Sequence, residues 1–256
     1  MRSKVLHTSI AATALAITTI ACSGGAPAPA ATTPPPNAKR VDETTAGSVT
    51  GKVTFEGTPP ASAPLKLDSD PACAQQHPGG LPPDSFVVSS GGLENVFVYV
   101  KDGLGDYYFE TPTTAVTLDQ KGCHYTPHVF GVRAGQPLDI VNSDPTLHNV
   151  NAMAKVNQSF NLGQAIQGMK NQKVFKTPEV MVHIKCDVHN WMNAYAGVLN
   201  HPYFAVTASG GSFELKGLPP GTYTIEAWHE KLGTQTQSVT LAAKESKPIT
   251  FAFKAS

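Results

Sequence analysis

The chain has 256 residues, 41% hydrophobic and only 15% charged, and its 19 basic and 19 acidic residues cancel. A neutral chain without a run of like charges is not built for nucleic acid or for an anionic membrane surface. Its 22 glycines and 21 prolines favour turns and short strands over long helices, within one or two domains of ordinary size.

Arg2 and Lys4 form a short basic region ahead of an apolar run from Ile10 to Ile20. That run is too short to span a bilayer as a mature helix, and residues 1–21 read as a signal peptide. It closes on Thr19-Ile20-Ala21-Cys22 followed by Ser-Gly-Gly, which resembles the lipobox of bacterial lipoproteins, with Thr19 where that family prefers an aliphatic residue. The resemblance implies an acylated Cys22 that anchors the mature chain to a membrane, on the periplasmic face of the cell envelope. The competing reading is an ordinary secretory signal with an incidental cysteine. Residues 22–46, rich in Ala, Pro and Thr, read as a disordered or extended tether.

Period-two alternation puts Val49, Gly51, Val53 and Phe55 on one face of a first strand. Residues 68–92, punctuated by Asp70-Pro71 and Pro82-Pro83, read as irregular, and residues 95–101 as the next strand. Further strands are expected at 115–118, 137–142, 173–175, 180–186, 195–199, 205–207, 212–215, 222–228, 237–241 and 249–253. The stretch 158–168 is open between a short helix and a loose strand. No helix longer than two or three turns is expected, so the fold class is all-β.

Setting Cys22 aside leaves Cys73, Cys123 and Cys186, an odd number for an exported chain. A disulfide between Cys73 and Cys123 would leave Cys186 as a free thiol and close a loop of about 50 residues, worth roughly 4 kcal/mol in the chain-entropy account. A metal cluster of Cys73, His77, Cys123 and His124 is the competing reading. Cys186-Asp187-Val188-His189-Asn190-Trp191-Met192 brings a thiol, an imidazole and a thioether close together, and His148 lies upstream. Two imidazoles, a thiolate and a weak axial thioether form the donor set of a type 1 copper site. The bland alternative is a buried free cysteine, a core methionine and two surface histidines. Strand alternation turns Val180, Val182, Ile184 and Cys186 inward and Met181, His183 and Lys185 outward, which removes His183 from the ligands. His128, His201 and His229 read as surface or loop residues. Tyr223 and Trp228 read as sandwich core, and Trp191 as either a core aromatic or part of a docking rim.

Residues 114–200 resemble a cupredoxin in four features taken in order. These are Pro127 with Val129 and Val132 before Gly135, the loop from Asn142 to His148, a late strand ending at Cys186, and the Cys-x2-His-x2-Met spacing of a short amicyanin-like loop. The resemblance implies a Greek-key β-sandwich binding one mononuclear copper ion through His148, Cys186, His189 and Met192. It also implies that Asn149 ties the two ligand loops together and that the edge of His189 is the electron port. Asp187 stands where the family often has Ser or Thr, and Asn190 where Pro is common; Asp187 would place a carboxylate beside the thiolate. Residues 203–253, through Gly211-Ser212-Phe213-Glu214-Leu215 and Gly217-Leu218-Pro219-Pro220-Gly221-Thr222-Tyr223, resemble the transthyretin-like regulatory domain of carboxypeptidases, a small β-sandwich without peptidase chemistry. The opening strand usual in that domain is missing after residue 200 and has its counterpart at Gly47 to Val53. The expected organisation is therefore one sandwich from residues 47–103 and 203–256, with a cupredoxin-like unit at 104–202 inserted between its strands; three pieces in tandem is the alternative.

The expected function is electron transfer with envelope redox proteins as partners, not catalysis, because this ligand set leaves no position for substrate. The alternatives are a copper carrier or storage protein, and a structural or glycan-binding envelope module with a degenerate copper site.

Overall fold

The computed structural model describes Pro34 and residues 36–254. The signal-peptide region and Cys22 lie outside them. The first strands are β1 (Gly47–Glu56), β2 (Val88–Ser89), β3 (Gly92–Leu93) and β4 (Phe97–Asp102). Next come β5 (Val116–Gln120), β6 (Tyr125–Thr126), β7 (Val129–Arg133), β8 (Pro137–Asn142), β9 (His148–Met153), β10 (Phe160–Gln164), β11 (Lys170–Val174), β12 (Glu179–Lys185) and β13 (Asn193–Leu199). The last are β14 (Phe204–Val206), β15 (Ser212–Leu218), β16 (Gly221–His229), β17 (Gly233–Leu241) and β18 (Ser246–Lys254). One helix, α1 (Pro71–Gln76), interrupts the stretch expected to be irregular. The fold class is all-β.

Pairing sorts these strands into two sandwiches. In the first, β1 lies between β15 (antiparallel) and β18 (parallel), and it meets the β3–β2 hairpin; the opposing sheet runs β14-β4-β16-β17. Val49, Val53 and Phe55 from β1 meet Val98, Val100, Ile225, Phe251 and Phe253 in one apolar core, as the alternation in β1 requires. In the second, β10-β9-β12-β13-β7 faces β11-β8-β5-β6. Its core holds Leu118, Phe130, Leu138, Ile140, Val150, Val182 and Ile184. The open stretch at 158–168 resolves as strand β10, paired with β9.

The two sandwiches meet on a flat spot. Gly131 and Gly197 are register partners in the parallel β7–β13 pair. A Cβ at Gly131 would lie 2.1 Å from the Phe204 ring, and one at Gly197 would lie 2.3 Å from the Phe97 ring. Those two rings stack with centroids 5.7 Å apart. Glycine is required here for close approach. Gly197→Val should therefore overpack the joint and destabilise the protein by about 1–3 kcal/mol in urea unfolding; a midpoint equal to that of the parent would show that the rings can move aside.

Four expectations about the fold are corrected. Val180 is 40% exposed rather than inward, because the register slips between Glu179 and Val182 where β12 joins β13. The end of the tether is packed: Lys39 Nζ sits 4.1 Å over the Tyr107 ring, the Tyr108 amide donates to Lys39 O, and the Lys244 amide donates to Thr45 O. His128 and His201 lie in loops as expected and His229 ends β16, but all three side chains are buried. The His128 side chain is buried against Glu230 across the joint, His201 lies beside Tyr203 and Phe109, and His229 is covered by Phe86 and Phe253. Tyr223 is core, whereas Trp228 packs in the joint between the sandwiches.

Candidate metal centre

Two turns deliver the donors. At the end of β8 the Asn142 side chain organises the first turn. Its Oδ1 accepts from the Asp144 amide at 3.0 Å and its Nδ2 donates to the carbonyls of Thr146 and Gln164, both at 2.9 Å. His148 then opens β9 with its ring buried. Cys186 follows the last residue of β12, on the same inward face as Val182 and Ile184, while His183 on the other face bonds Asn193 and stacks on Tyr195. The chain closes tightly behind Cys186: the Met192 amide donates to His189 O at 3.0 Å and the Cys186 amide to Met192 O at 3.1 Å. The His189 amide points at Cys186 Sγ, 3.4 Å away, so the His189 ring turns back over the sulfur.

His148, Cys186 and His189 thus converge. Their donor atoms lie within 4.8 Å of one another, with the two Nδ1 atoms 2.8 Å apart and Cys186 Sγ 3.9 Å from His189 Nδ1. Met192 is fully buried in the same cluster as Cys186. Burial works against the Cys186 thiolate, but its bonds to His148 and His189 outweigh that and bring the thiol down to about 6. Burial likewise opposes a charge on His148, and its bonds to Asp144 and Cys186 outweigh it, holding the imidazole up to about 9. Both shifts rest on the same contact, in which His148 and Cys186 share a proton when no metal is bound.

The outer ring nitrogens decide the tautomers. His148 Nε2 is 3.0 Å from Asp144 Oδ2, and His189 Nε2 is 2.9 Å from Asp70 Oδ2. Burial raises both carboxyls. Bonds from Thr146 and His189 to Asp70, and from His148 and the Cys123 and Gly122 amides to Asp144, nevertheless keep them below the ordinary carboxylate value. An ionised carboxylate only accepts, so each ring presents N–H outward and its Nδ1 lone pair inward. Two imidazole lone pairs and a thiolate then face one another in a buried space. That arrangement is repulsive unless a proton or a metal cation sits among them, and the donors suit a soft transition metal.

Asp70 also corrects an expectation. It lies at the N-cap of α1 and closes over His189, which is only 1% exposed, so the edge of His189 does not reach solvent as an electron port. Trp191 covers the neighbouring side, with ring centroids 5.0 Å apart and its indole N–H donating to Cys123 O at 2.9 Å. Neither Asp70 nor Asp144 was among the residues singled out in the sequence. Asp70-Pro71 does carry a helix-start signal, a capping residue followed by proline.

Asn149 reaches from β9 to the thiolate strand. Its Oδ1 accepts from the Asp187 amide at 2.7 Å and from the Cys186 thiol at 3.3 Å. The Asp187 carboxylate does not face the sulfur. It lies on the rim, where Lys185 at 2.9 Å and the amides of Asn149, Asn151 and Asn161 hold it down at about 2. Cys73 and Cys123 form a disulfide, which rules out their thiolates as metal donors in this state. His77 instead bonds Gly122 O and His124 bonds Asp84.

Residues 195–254 match the model of a family described as carboxypeptidase regulatory-like domain. The match starts inside β13 and omits β1 and β4, which share sheets with the matched strands. No curated protein matches the chain. Among solved structures it is similar to a copper-containing nitrite reductase from Thermus scotoductus SA-01, at 18% identity and a TM-score of 0.32 over 35% of this chain and 23% of that one. It is also similar to a Cu(I) amicyanin variant (19%, 0.29, 33% and 81%) and to a purple cupredoxin from Nitrosopumilus maritimus (17%, 0.28, 32% and 97%). The chain therefore spans less than a quarter of the reductase.

Proposed function

We propose that the protein is an exported, lipid-anchored type 1 copper protein that transfers electrons on the periplasmic face of the cell envelope. The observation that carries this reading is the convergence of His148 Nδ1, His189 Nδ1 and Cys186 Sγ in a buried space whose outer ring nitrogens are already engaged by carboxylates. Copper held there, with Met192 as a weak axial donor, would take up and release one electron. The surrounding residues exclude water and fix the rings, and no side is left for a substrate, which favours electron transfer over catalysis. Zinc accepts the same thiolate and imidazoles; Met192 tilts the choice to copper.

Envelope redox proteins are the proposed partners. With His189 covered, contact would come through Leu147 and Val188, apolar residues 45% and 49% exposed that immediately precede the two histidines. The Ala21-Cys22 step supports the anchor, and the shared sheets of residues 47–102 and 204–254 support an inserted unit at 104–202. Adding Cu(II) to the metal-free protein should produce one intense visible thiolate-to-copper absorption band at one equivalent. A colourless complex would reject the type 1 reading.

A further inference from the structure

The carboxylates behind the two histidines are held by the two ends of the disulfide. Asp70 Oδ1 accepts from the amides of Ala72 and Cys73, at 2.7 and 3.3 Å, while its Oδ2 takes Thr146 Oγ1 at 2.8 Å as well as His189 Nε2. Asp144 Oδ2 accepts from the Cys123 amide at 2.7 Å and from His148 Nε2, and its Oδ1 accepts from the Gly122 amide at 2.8 Å. Gln76 on α1 donates to the same Asp144 oxygen at 3.5 Å. One donor atom each from Asp70, Cys73 and His189 lies within 4.8 Å of the others, and the same is true of Cys123, Asp144 and His148. The bridge between Cys73 and Cys123 thus ties together two arms, each of which ends on one imidazole.

Asp70 comes from the segment between β1 and β4, outside the sandwich that supplies the three donors. The donor-bearing sandwich is therefore incomplete at this point without the preceding segment. A carboxylate behind a ligating imidazole fixes the ring and makes its inward nitrogen a better donor.

We infer, on the copper reading above, that Asp70 and Asp144 are positioning residues for His189 and His148, and that the Cys73–Cys123 disulfide holds both carboxylates in place, so that metal retention depends on the oxidised bridge. Reduction by an external dithiol, which supplies two electrons and two protons and leaves Cys73 and Cys123 as thiols while itself becoming a disulfide, frees α1, withdraws Asp70 from His189 and removes the seal over the centre. The state of this disulfide then decides whether the site keeps or yields its metal.

The test uses the full chain with Asp70→Asn, the double change Cys73→Ala/Cys123→Ala, and all three together. Asn caps a helix as well as Asp does, so Asp70→Asn should leave α1 formed and lower the melting temperature of the metal-free protein only modestly. It should weaken copper retention against a Cu(I) chelator by about 10–100-fold, the usual effect of losing such a partner. Removing the bridge should weaken retention at least as much, and Asp70→Asn should add little in that background, because the two changes break the same arm. Retention equal to the parent, or effects that simply multiply, would overturn the inference. A metal-free measurement separates this outcome from failure of the copper reading. Alkylation of Cys186 by iodoacetamide, followed by peptide mass spectrometry, should be on the order of tenfold faster without the bridge, because the covered site opens locally. If the parent gives no visible band with Cu(II) but the alkylation difference appears, the copper reading fails and the positioning stands. An unchanged alkylation rate would refute the role of the bridge whatever the metal.

Discussion

Cys186→Ser should fold and still bind Cu(II) weakly through His148 and His189, yet show none of the intense visible absorption of the parent. Sulfur supplies the charge-transfer transition, and a hydroxyl in its place is a hard donor that stays protonated near neutrality. The substitution is sterically mild. A buried hydroxyl without a partner would cost about 1–3 kcal/mol, but Asn149 Oδ1, already accepting from the thiol, remains available to it. The matched control is His183→Ala. His183 is only three residues from Cys186 in the chain, but it bonds Asn193 Oδ1 at 2.8 Å and stacks on Tyr195 with centroids 4.9 Å apart, on the opposite face of β12. Its removal should leave the copper spectrum unchanged. A visible band that survives Cys186→Ser, or one that vanishes with His183→Ala, would require a different ligand set.

Acid should unfold the protein in two stages, the first set by His201 and His229. Burial is the main reason both imidazoles titrate at about 4; Arg133 adds to the effect at His201, while Glu230 works against it at His229. His128 and Lys231 further disfavour a charge on His229. In the unfolded chain both rings protonate near the ordinary value of 6.5. Between pH 6.5 and 4 the unfolded state therefore binds two protons that the folded state refuses. Their contribution is complete above pH 6.5 and is lost as pH falls toward 4, at up to about 1.4 kcal/mol per pH unit for each ring. His148 does not contribute a slope in this window, because its raised value leaves it protonated in both states there. The lowered carboxyls, Asp70 and Asp144 among them, act in a second stage below about pH 4. Urea midpoints should be level from pH 7.5 to 6.5 and fall from pH 6.5 to 4.5, and His229→Leu should roughly halve the slope of that fall. A flat profile above pH 4.5 would show that both rings take up protons without unfolding.

Much of the centre was legible because its signals are local. Cys186, His189 and Met192 lie on one short turn, and the alternation of Val182, Ile184 and Cys186 gave the inward face directly. Strand β1 could be read from Val49, Val53 and Phe55 for the same reason. The parts that could not be read depend on distance in the chain. Asp70 and His189 are separated by 119 positions, and nothing near either residue announces the other. His128 is buried by Glu230 across the joint between the sandwiches, and His201 and His229 by rings such as Phe109 and Phe86 that lie far away in the chain; a histidine carries no sequence mark of such a neighbour. Val180 defeated the alternation because a bulge in pairing is a property of two strands, not of one.

The parallel pairing of β1 with β18 has a consequence for the order of assembly. Ser48 and Ser246, whose hydroxyls meet across that pair, are 198 positions apart. The first strand to leave the ribosome must wait for almost the whole polypeptide before this neighbour exists, and contacts of such long range form slowly. The donor-bearing sandwich, built wholly from the middle of the chain, can condense meanwhile. During that interval β1 carries an uncovered edge, the kind of surface through which unfinished chains associate with one another. The step most exposed to aggregation is thus the late capture of the last strand, far in both sequence and time from the centre that binds the metal.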